Sequence, residues 1–194
     1  FFLEAAFIGV MLFGWDKVSP AIHFMATCFV VIGTHNSAFW IIAANSWMHT
    51  PQGFEVNQGV YVVDSWWKVI FNPSMPYRLI HSLVSSYLTA SLCVVGVSAW
   101  YLIKNNHVKA AQKGFSIALV FFSILAPMQI ILGDMHGIEV LEYQPVKVAA
   151  MEGLWDTTKG APLVLFAVPN SKTEQNEHVL SIPKLTSFIL THDF

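Results

Sequence analysis

The chain has 194 residues, of which 55% are hydrophobic and only 11% are charged, whereas soluble domains carry roughly 25% charged residues. This deficit excludes an ordinary soluble domain and indicates a membrane protein. The formal net charge is only −2, so the basic surface that nucleic-acid binding requires is absent and no nucleic-acid partner is expected. The two cysteines, Cys28 and Cys93, lie in apolar runs, which favours buried thiols over a disulfide or a metal pair.

The first part of the chain predicts two apolar helices and a connecting segment. Residues 1–15 form a helix that Asp16–Pro20 ends and that is too short to span a membrane. The start at Phe1, without a Met or a charged leader, indicates an internal fragment of a longer membrane subunit. Residues 22–44 form a helix of spanning length without a formal charge, and an interfacial segment with a short amphipathic helix follows over residues 52–77.

The second part predicts two more spanning helices, over residues 76–103 and 114–132, joined by a short basic loop. Beyond residue 133 charged residues become frequent, and the apolar run 163–168 is only as long as a strand. The expected fold is therefore an all-α transmembrane helical bundle, with three full spanning helices and part of a fourth, over residues 1–133. A mostly extramembrane loop region follows over residues 134–194.

The loop charges predict how the chain is oriented in the membrane. Lys17 lies between the first two helices, and Lys104, Lys109 and Lys113 lie between the last two without a compensating acid. An excess of Lys and Arg marks the cytoplasmic side. The connecting segment 52–77 and the region after residue 133 are therefore expected on the outer, periplasmic side.

An ionisable side chain at membrane depth is a functional candidate, because its burial is costly. His81 lies near the start of the predicted spanning helix over residues 76–103, in an uncharged run of about 25 residues that follows Arg78. It is followed by small residues, namely Ser82, Ser85, Ser86, Thr89, Ala90 and Ser91. One imidazole beside a small-residue face could hold a flat cofactor through one axial bond. The alternative is a helix-packing surface with a hydrogen-bonded histidine.

Two more polar groups lie in the first two helices. Glu4 is surrounded by apolar and aromatic residues, and it is either a proton-relay carboxyl or a residue at a helix end. His35, Asn36 and Ser37 form a polar band, which is either a hydrophilic pathway or a set of interhelical hydrogen bonds. His35 also lies 14 residues before His49, a spacing found in dihaem cytochromes b, but the helix over residues 76–103 offers only one histidine to match the pair.

The segment 145–155 contains Lys147 and Glu152. The five-residue separation does not suit an intrahelical salt bridge, which needs a spacing of three or four residues. The two side chains therefore belong either to an ordinary solvated amphipathic helix or to a site where both contact one ligand from adjacent turns.

A series of ordered blocks covers essentially the whole chain and closely resembles subunit I of the cytochrome bd quinol oxidases. The second helix is most similar to the cyanide-insensitive branch of that family. The blocks are FFLEA (1–5), FGWDK (13–17), GTHNSAFW (33–40), ANSWM (44–48), FNP (71–73), GVSAWYL (96–102), LGD (132–134) and KVAAME (147–152).

The resemblance implies roles for five residues. His81 matches the axial ligand of a low-spin haem b and so would be its iron ligand. Lys147 and Glu152 match residues of the quinol-binding loop on the periplasmic side. Glu4 and Ser37 match groups on the proton route to the oxygen-reducing haems.

The resemblance also implies a function, which is the oxidation of quinol at the outer membrane face and the reduction of dioxygen to water. A further haem b and a haem d would be bound mainly by parts of the subunit outside these residues. The expected partners are subunit II, quinol, dioxygen and the lipid of the bacterial inner membrane. Two other classes stay open, namely a haem-binding subunit of another quinone oxidoreductase and a cofactor-free structural or transport subunit.

Overall fold

The computed structural model describes residues 2–192, and the chain divides into two compact units, over residues 1–79 and 80–194. The first unit contains two helices, a β-hairpin, a short third helix and the start of a fourth. The second contains the rest of that fourth helix, a long fifth helix, a second hairpin and two short helices. Most of the described chain is thus helical, as the composition predicts.

The first unit begins with two helices that pack side by side, α1 (Phe2–Phe13) and α2 (Pro20–His49). α2 starts where the sequence favours a helix, since Pro20 occupies the first turn and the Ser19 hydroxyl accepts a bond from the Ile22 N–H at 3.4 Å. Phe7 stacks on Phe29 with ring centroids 4.9 Å apart. Glu4 near the start of α1 contacts Ser37, and Met11 near its end contacts His23, so the two helices run antiparallel, with half-buried aromatic rings between them.

A β-hairpin and a short helix follow α2. The strands β1 (Phe54–Asn57) and β2 (Val60–Val63) pair in antiparallel register around Gln58 and Gly59, whose φ values are 51° and 81°. Two positive φ values are what a two-residue type I′ turn requires. The short helix expected in this segment is α3 (Trp66–Ile70). The hairpin is a feature that the sequence pattern does not predict, because each strand has only four residues.

A buried polar cluster joins the end of α2 to the segment after α3. Asn72 is fully buried, and its amide donates to the Ser46 hydroxyl and to the Val69 carbonyl, both at 3.1 Å. The Thr50 hydroxyl lies 3.1 Å from the Asn72 side-chain oxygen and 3.0 Å from the Ser74 hydroxyl. These groups satisfy one another away from water, so the cluster sets where the next helix begins.

Two long helices form the centre of the chain, α4 (Met75–Ile103) and α5 (Val108–Tyr143). Together with α2 they are long and apolar enough to cross a membrane, which confirms the three predicted spanning helices. α5 extends beyond the predicted residues 114–132 at both ends. Charged residues end a hydrophobic run, but Lys and Glu are good helix formers, so they do not end the helix. The predicted loop over residues 104–113 is correspondingly shorter.

The last part of the second unit is built from short elements. α6 (Pro145–Met151) follows α5 directly, and the strands β3 (Leu163–Asn170) and β4 (Gln175–Ile182) form an antiparallel hairpin with two irregularities in its register. α7 (Leu185–Thr191) is tied back by the Ser187 hydroxyl, which accepts from the Ala161 N–H at 2.7 Å. The predicted strand-length run 163–168 lies within β3.

Candidate functional site

His81 lies in the second turn of α4 and is half-buried. The Gln129 amide nitrogen on α5 lies 3.2 Å from its Nδ1 and 3.0 Å from its Nε2. A Cβ atom built on Gly133 would come within 3.4 Å of its Cε1. The His136 ring lies 5.6 Å away between centroids. The imidazole therefore faces α5, where one amide contacts it and a glycine leaves room for it.

A single imidazole, that of His81, suits a haem better than a bare metal ion. No group of three or more His, Cys, Asp or Glu side chains that could hold a metal is found among residues 2–192. A haem supplies four iron ligands itself, and the protein adds one or two axial ones. A single accessible imidazole beside a small residue fits that requirement.

Glu4 and Ser37 are brought together by the packing of α1 on α2. The Ser37 hydroxyl donates to a Glu4 carboxylate oxygen at 2.6 Å, although the residues are 33 apart in sequence. Gly33, one turn before Ser37, allows the approach, because a Cβ there would lie 2.9 Å from the Glu4 Cγ. The two predicted proton-path residues thus form one hydrogen-bonded pair in the first unit.

His35 and His49 lie on α2, where the predicted 14-residue spacing places them on one helix. The His35 Nδ1–H donates to the Val31 carbonyl, one turn earlier, at 2.7 Å. This bond directs one edge of the ring along its own helix.

A cavity of about 790 Å³ lies between the end of α6 and the second hairpin. Glu152, which caps α6, is among the lining residues, and the buried Thr186 hydroxyl donates to its carboxylate at 3.2 Å. The other lining residues are largely apolar and include Met151, Leu154, Trp155, Val164 and Phe166. A large apolar cavity with one anchored carboxylate is the usual form of a small-molecule site.

Lys147 lies in the middle of α6 and is half-buried. Five residues along an α-helix correspond to about 140° of rotation, so Lys147 and Glu152 leave the helix on different sides. In the described part of the chain, Lys147 is not among the residues that line the cavity of Glu152.

Two polar groups beside the predicted site residues were missed. Gln129 contacts the His81 ring, and Thr186 contacts the Glu152 carboxylate. A side-chain amide within a long apolar helix is a signal that could have identified Gln129, because unsatisfied polar groups are costly at membrane depth. No comparable signal exists for Thr186, which lies 34 residues beyond Glu152.

Comparison with known proteins gives consistent matches over the full length. The chain is 35% identical to cytochrome bd-II ubiquinol oxidase subunit 1 of Escherichia coli (strain K12), over 99% of this chain and 38% of that protein. It is 33% identical to cytochrome bd ubiquinol oxidase subunit 1 of Bacillus subtilis (strain 168), over 100% of this chain and 42% of that protein. The chain thus spans about two fifths of the length of these relatives.

The structural comparison agrees with the sequence matches. The fold is similar to that of the bd oxidase from Geobacillus thermodenitrificans, with a TM-score of 0.78 and 33% sequence identity, over 98% of this chain and 44% of that one. The family model for cytochrome bd terminal oxidase subunit I matches residues 1–194. The chain therefore belongs to the cytochrome bd terminal oxidase subunit I family.

Proposed function

We propose that this chain is part of subunit I of a terminal respiratory oxidase, which oxidises quinol and reduces dioxygen to water. Family membership and three membrane-length helices support the proposal. The observation that carries it is the half-buried His81 imidazole, which faces α5 from a membrane-length helix. A histidine at this depth needs a functional reason, and one axial imidazole is a common protein ligand of haem iron.

In this proposal His81 is an axial ligand of a low-spin haem b. That group, when bound, supplies one-electron transfer between quinol and the oxygen-reducing haems. Further haem b and haem d are bound mainly by parts of the subunit outside these residues. The role of this chain is to present the imidazole at a fixed position on α4 and to leave space for it at Gly133.

The cavity beside α6 is the proposed quinol site. Its volume of about 790 Å³ lies within the range of roughly 300–1,000 Å³ that small-molecule sites occupy. Each quinol oxidised releases two protons and two electrons. The Glu152 carboxylate accepts a proton from a quinol hydroxyl. A hydrogen bond from Lys147 to the quinol oxygen is proposed on the sequence resemblance alone, since Lys147 does not line this cavity. The Thr186 hydroxyl holds one oxygen of Glu152 and leaves the other for this proton.

Glu4 and Ser37 are proposed to carry protons towards the site of oxygen reduction. Their 2.6 Å hydrogen bond links a hydroxyl and a carboxylate across two helices, which is the arrangement a proton relay needs. Protons released outside and protons taken up from inside would make turnover electrogenic without a pump.

The proposed location is the bacterial inner membrane. The lysine-bearing turns after α1 and after α4 face the cytoplasm, and the region after residue 133 faces the periplasm. The proposed partners are subunit II of the oxidase, quinol, dioxygen and the surrounding lipid. The exposed apolar side chains of the long helices, such as Ile117 and Ile130, suit contact with lipid or with other transmembrane helices.

The test is His81→Ala in the full-length subunit, assembled with its partner in membranes. We expect loss of the low-spin haem b signal in the reduced-minus-oxidised spectrum, because no other side chain is proposed to replace the imidazole. His178→Ala, at an exposed histidine on β4, is the matched control and keeps the signal. An unchanged spectrum in His81→Ala refutes the ligand assignment. The absence of any haem spectrum in the unmodified subunit would favour a structural or transport role.

A further inference from the structure

The Asn176 side chain bridges the two elements that form the cavity beside α6. Asn176 lies on β4, and its amide Nδ2 donates to the Gly153 carbonyl at 2.6 Å. Its Oδ1 accepts from the Trp155 indole N–H at 2.9 Å. The partners lie 23 and 21 residues away in sequence, so one side chain joins the second hairpin to the segment that follows α6.

The orientation of this amide is fixed by its two partners. A carbonyl oxygen only accepts hydrogen bonds, and an indole N–H only donates one. If the two ends of the amide were exchanged, Oδ1 would face the Gly153 carbonyl and Nδ2 would face the Trp155 N–H, and both bonds would be lost. The amide therefore holds the indole at one position relative to Gly153.

The end of α6 presents the carbonyl that anchors the amide. Gly153 has a φ of 66°, a left-handed conformation that favours glycine. The Leu154 N–H donates to the Ala149 carbonyl at 2.8 Å, as at the Schellman-type end of a helix. The chain therefore turns directly after Glu152, and Gly153 and Trp155 join Glu152 in lining the cavity.

Packing alone does not fix the Trp155 ring, which is 44% exposed. The ring lines the cavity of about 790 Å³ and also a second cavity of about 270 Å³, which Thr158 and Leu190 line as well. Because there is open space beside it in both cavities, the ring has room to turn. The hydrogen bond to Asn176 is the contact that keeps it in place.

We propose that Asn176 is a positioning residue of the quinol site, and that it holds the Trp155 indole as the surface on which the quinol ring rests. The proposal rests on the proposed quinol-oxidising role of this cavity. Phe166 on β3 lines the same cavity, so each of the two elements offers a flat ring an aromatic side chain. Asn176 acts through Trp155 and transfers no proton, so it sets the affinity for quinol and leaves the chemical step unchanged.

The experiment measures oxidation of a short-chain ubiquinol by the full-length subunit, assembled with its partner and loaded with haem. Asn176→Leu keeps the branched shape of the side chain but has neither donor nor acceptor. Trp155→Phe keeps an aromatic ring but loses the indole N–H, and the double variant completes the cycle. Asn106→Leu, at an exposed loop position, is the matched control. The readouts are KM, kcat and oxygen uptake with an artificial donor that bypasses the quinol site.

In Asn176→Leu we expect KM to rise about 3–10-fold, the effect of one lost hydrogen bond, with kcat and turnover of the artificial donor unchanged. Trp155→Phe should raise KM at least as much, since it also reduces the aromatic surface. The double variant should resemble Trp155→Phe, because Asn176 then has no indole N–H to hold. A purely structural role would lower stability without this separation of KM from kcat.

An unchanged KM in Asn176→Leu, or a fall in kcat without a rise in KM, overturns the proposal, as do additive effects in the double variant. If Asn176→Leu fails to assemble, Trp155→Phe decides alone, and an unchanged KM in that variant counts against the proposal.

Glu152→Gln separates failure of this proposal from failure of the quinol site. If that variant loses quinol oxidation while Asn176→Leu behaves as wild type, the site is right and its positioning residue is wrong. If Glu152→Gln oxidises quinol normally and Asn176→Leu also behaves as wild type, the assignment of the cavity itself is wrong.

Discussion

The polar groups of the long helices are held differently from those of residues 144–192. Within α4 the hydroxyls of Ser86, Thr89 and Ser91 donate to carbonyls four residues earlier, at 2.7–3.0 Å. In the later segment Glu152 is among the residues that line a cavity of about 790 Å³. Groups at membrane depth must be satisfied internally, whereas groups at a cavity can exchange partners with water or a ligand.

The difference suits two kinds of bound molecule. A resident cofactor needs a ligand that keeps one orientation, and this is the proposed task of His81, whose ring lies against Gln129 and Gly133. A substrate that enters and leaves needs a group that can accept a proton and lose it again, which is the proposed task of Glu152. A substitution at the cavity should therefore impair quinol oxidation, whereas a substitution at a packed polar or helix contact should mainly lower stability. Four substitutions test this expectation.

Glu152→Gln should have the largest effect among these four. The substitution preserves shape and the bond from Thr186 but removes the proton acceptor, and general-base groups contribute typically 10²–10⁴-fold to rates. Quinol oxidation should fall by about that range, while an artificial donor that bypasses the site still supports oxygen uptake. Glu174→Gln, in the exposed turn of the second hairpin, should be silent. Equal loss with both donors would contradict the role in quinol oxidation.

Asn72→Ala should destabilise the first unit. The substitution removes the hydrogen bonds that the Asn72 side chain makes with the Ser46 and Thr50 hydroxyls, at about 0.5–1.5 kcal/mol each, while both hydroxyls keep other partners. The expected result is a lower melting temperature of the purified complex. The control, Asn106→Ala at an exposed loop position, should change stability by less than about 0.5 kcal/mol. Equal melting temperatures would show that the cluster contributes nothing.

Gly33→Ala tests the close approach of α1 to α2. The added Cβ would lie 2.9 Å from the Glu4 Cγ and 3.1 Å from its backbone nitrogen, so the helices must separate. Overpacking of this kind costs about 1–3 kcal/mol, and proton uptake should slow if the Glu4–Ser37 bond lengthens. Gly9→Ala, on α1 with nothing within 4 Å, should instead be neutral or slightly stabilising. Identical behaviour of the two variants would argue against close packing at Gly33.

Asp134→Asn should have the smallest effect. The carboxylate lies 3.1 Å from the His192 Nε2 at the exposed contact between α5 and α7. Exposed ion pairs contribute about 0–1 kcal/mol and are screened by salt. We expect a small loss of stability at low ionic strength that disappears at high salt, measured by thermal unfolding. A large loss at high salt would show that the contact is more than a surface ion pair.

The helices were predictable because their signals are local. Long uncharged runs identify α2, α4 and α5, and this prediction is confirmed. The predicted ends of the helices were less accurate, because hydropathy shows only where an apolar run stops. The helix α5 continues beyond its apolar run through charged residues to Tyr143. The first hairpin escaped prediction because four-residue strands carry too little alternation. The division of the chain into membrane and periplasmic parts at residue 133 stays a prediction.

The sequence by itself determined the membrane class, the three long helices and the polar side chains that such helices carry at a cost. Only the tertiary structure decided which groups meet. Glu4 finds Ser37 across 33 residues, His81 finds Gln129 across 48, and Glu152 finds Thr186 across 34. Local propensity acts over a few residues, whereas these contacts arise from the packing of distant segments. Composition can thus identify a candidate such as His81, but the residue in contact with its ring emerges only when α4 and α5 pack together.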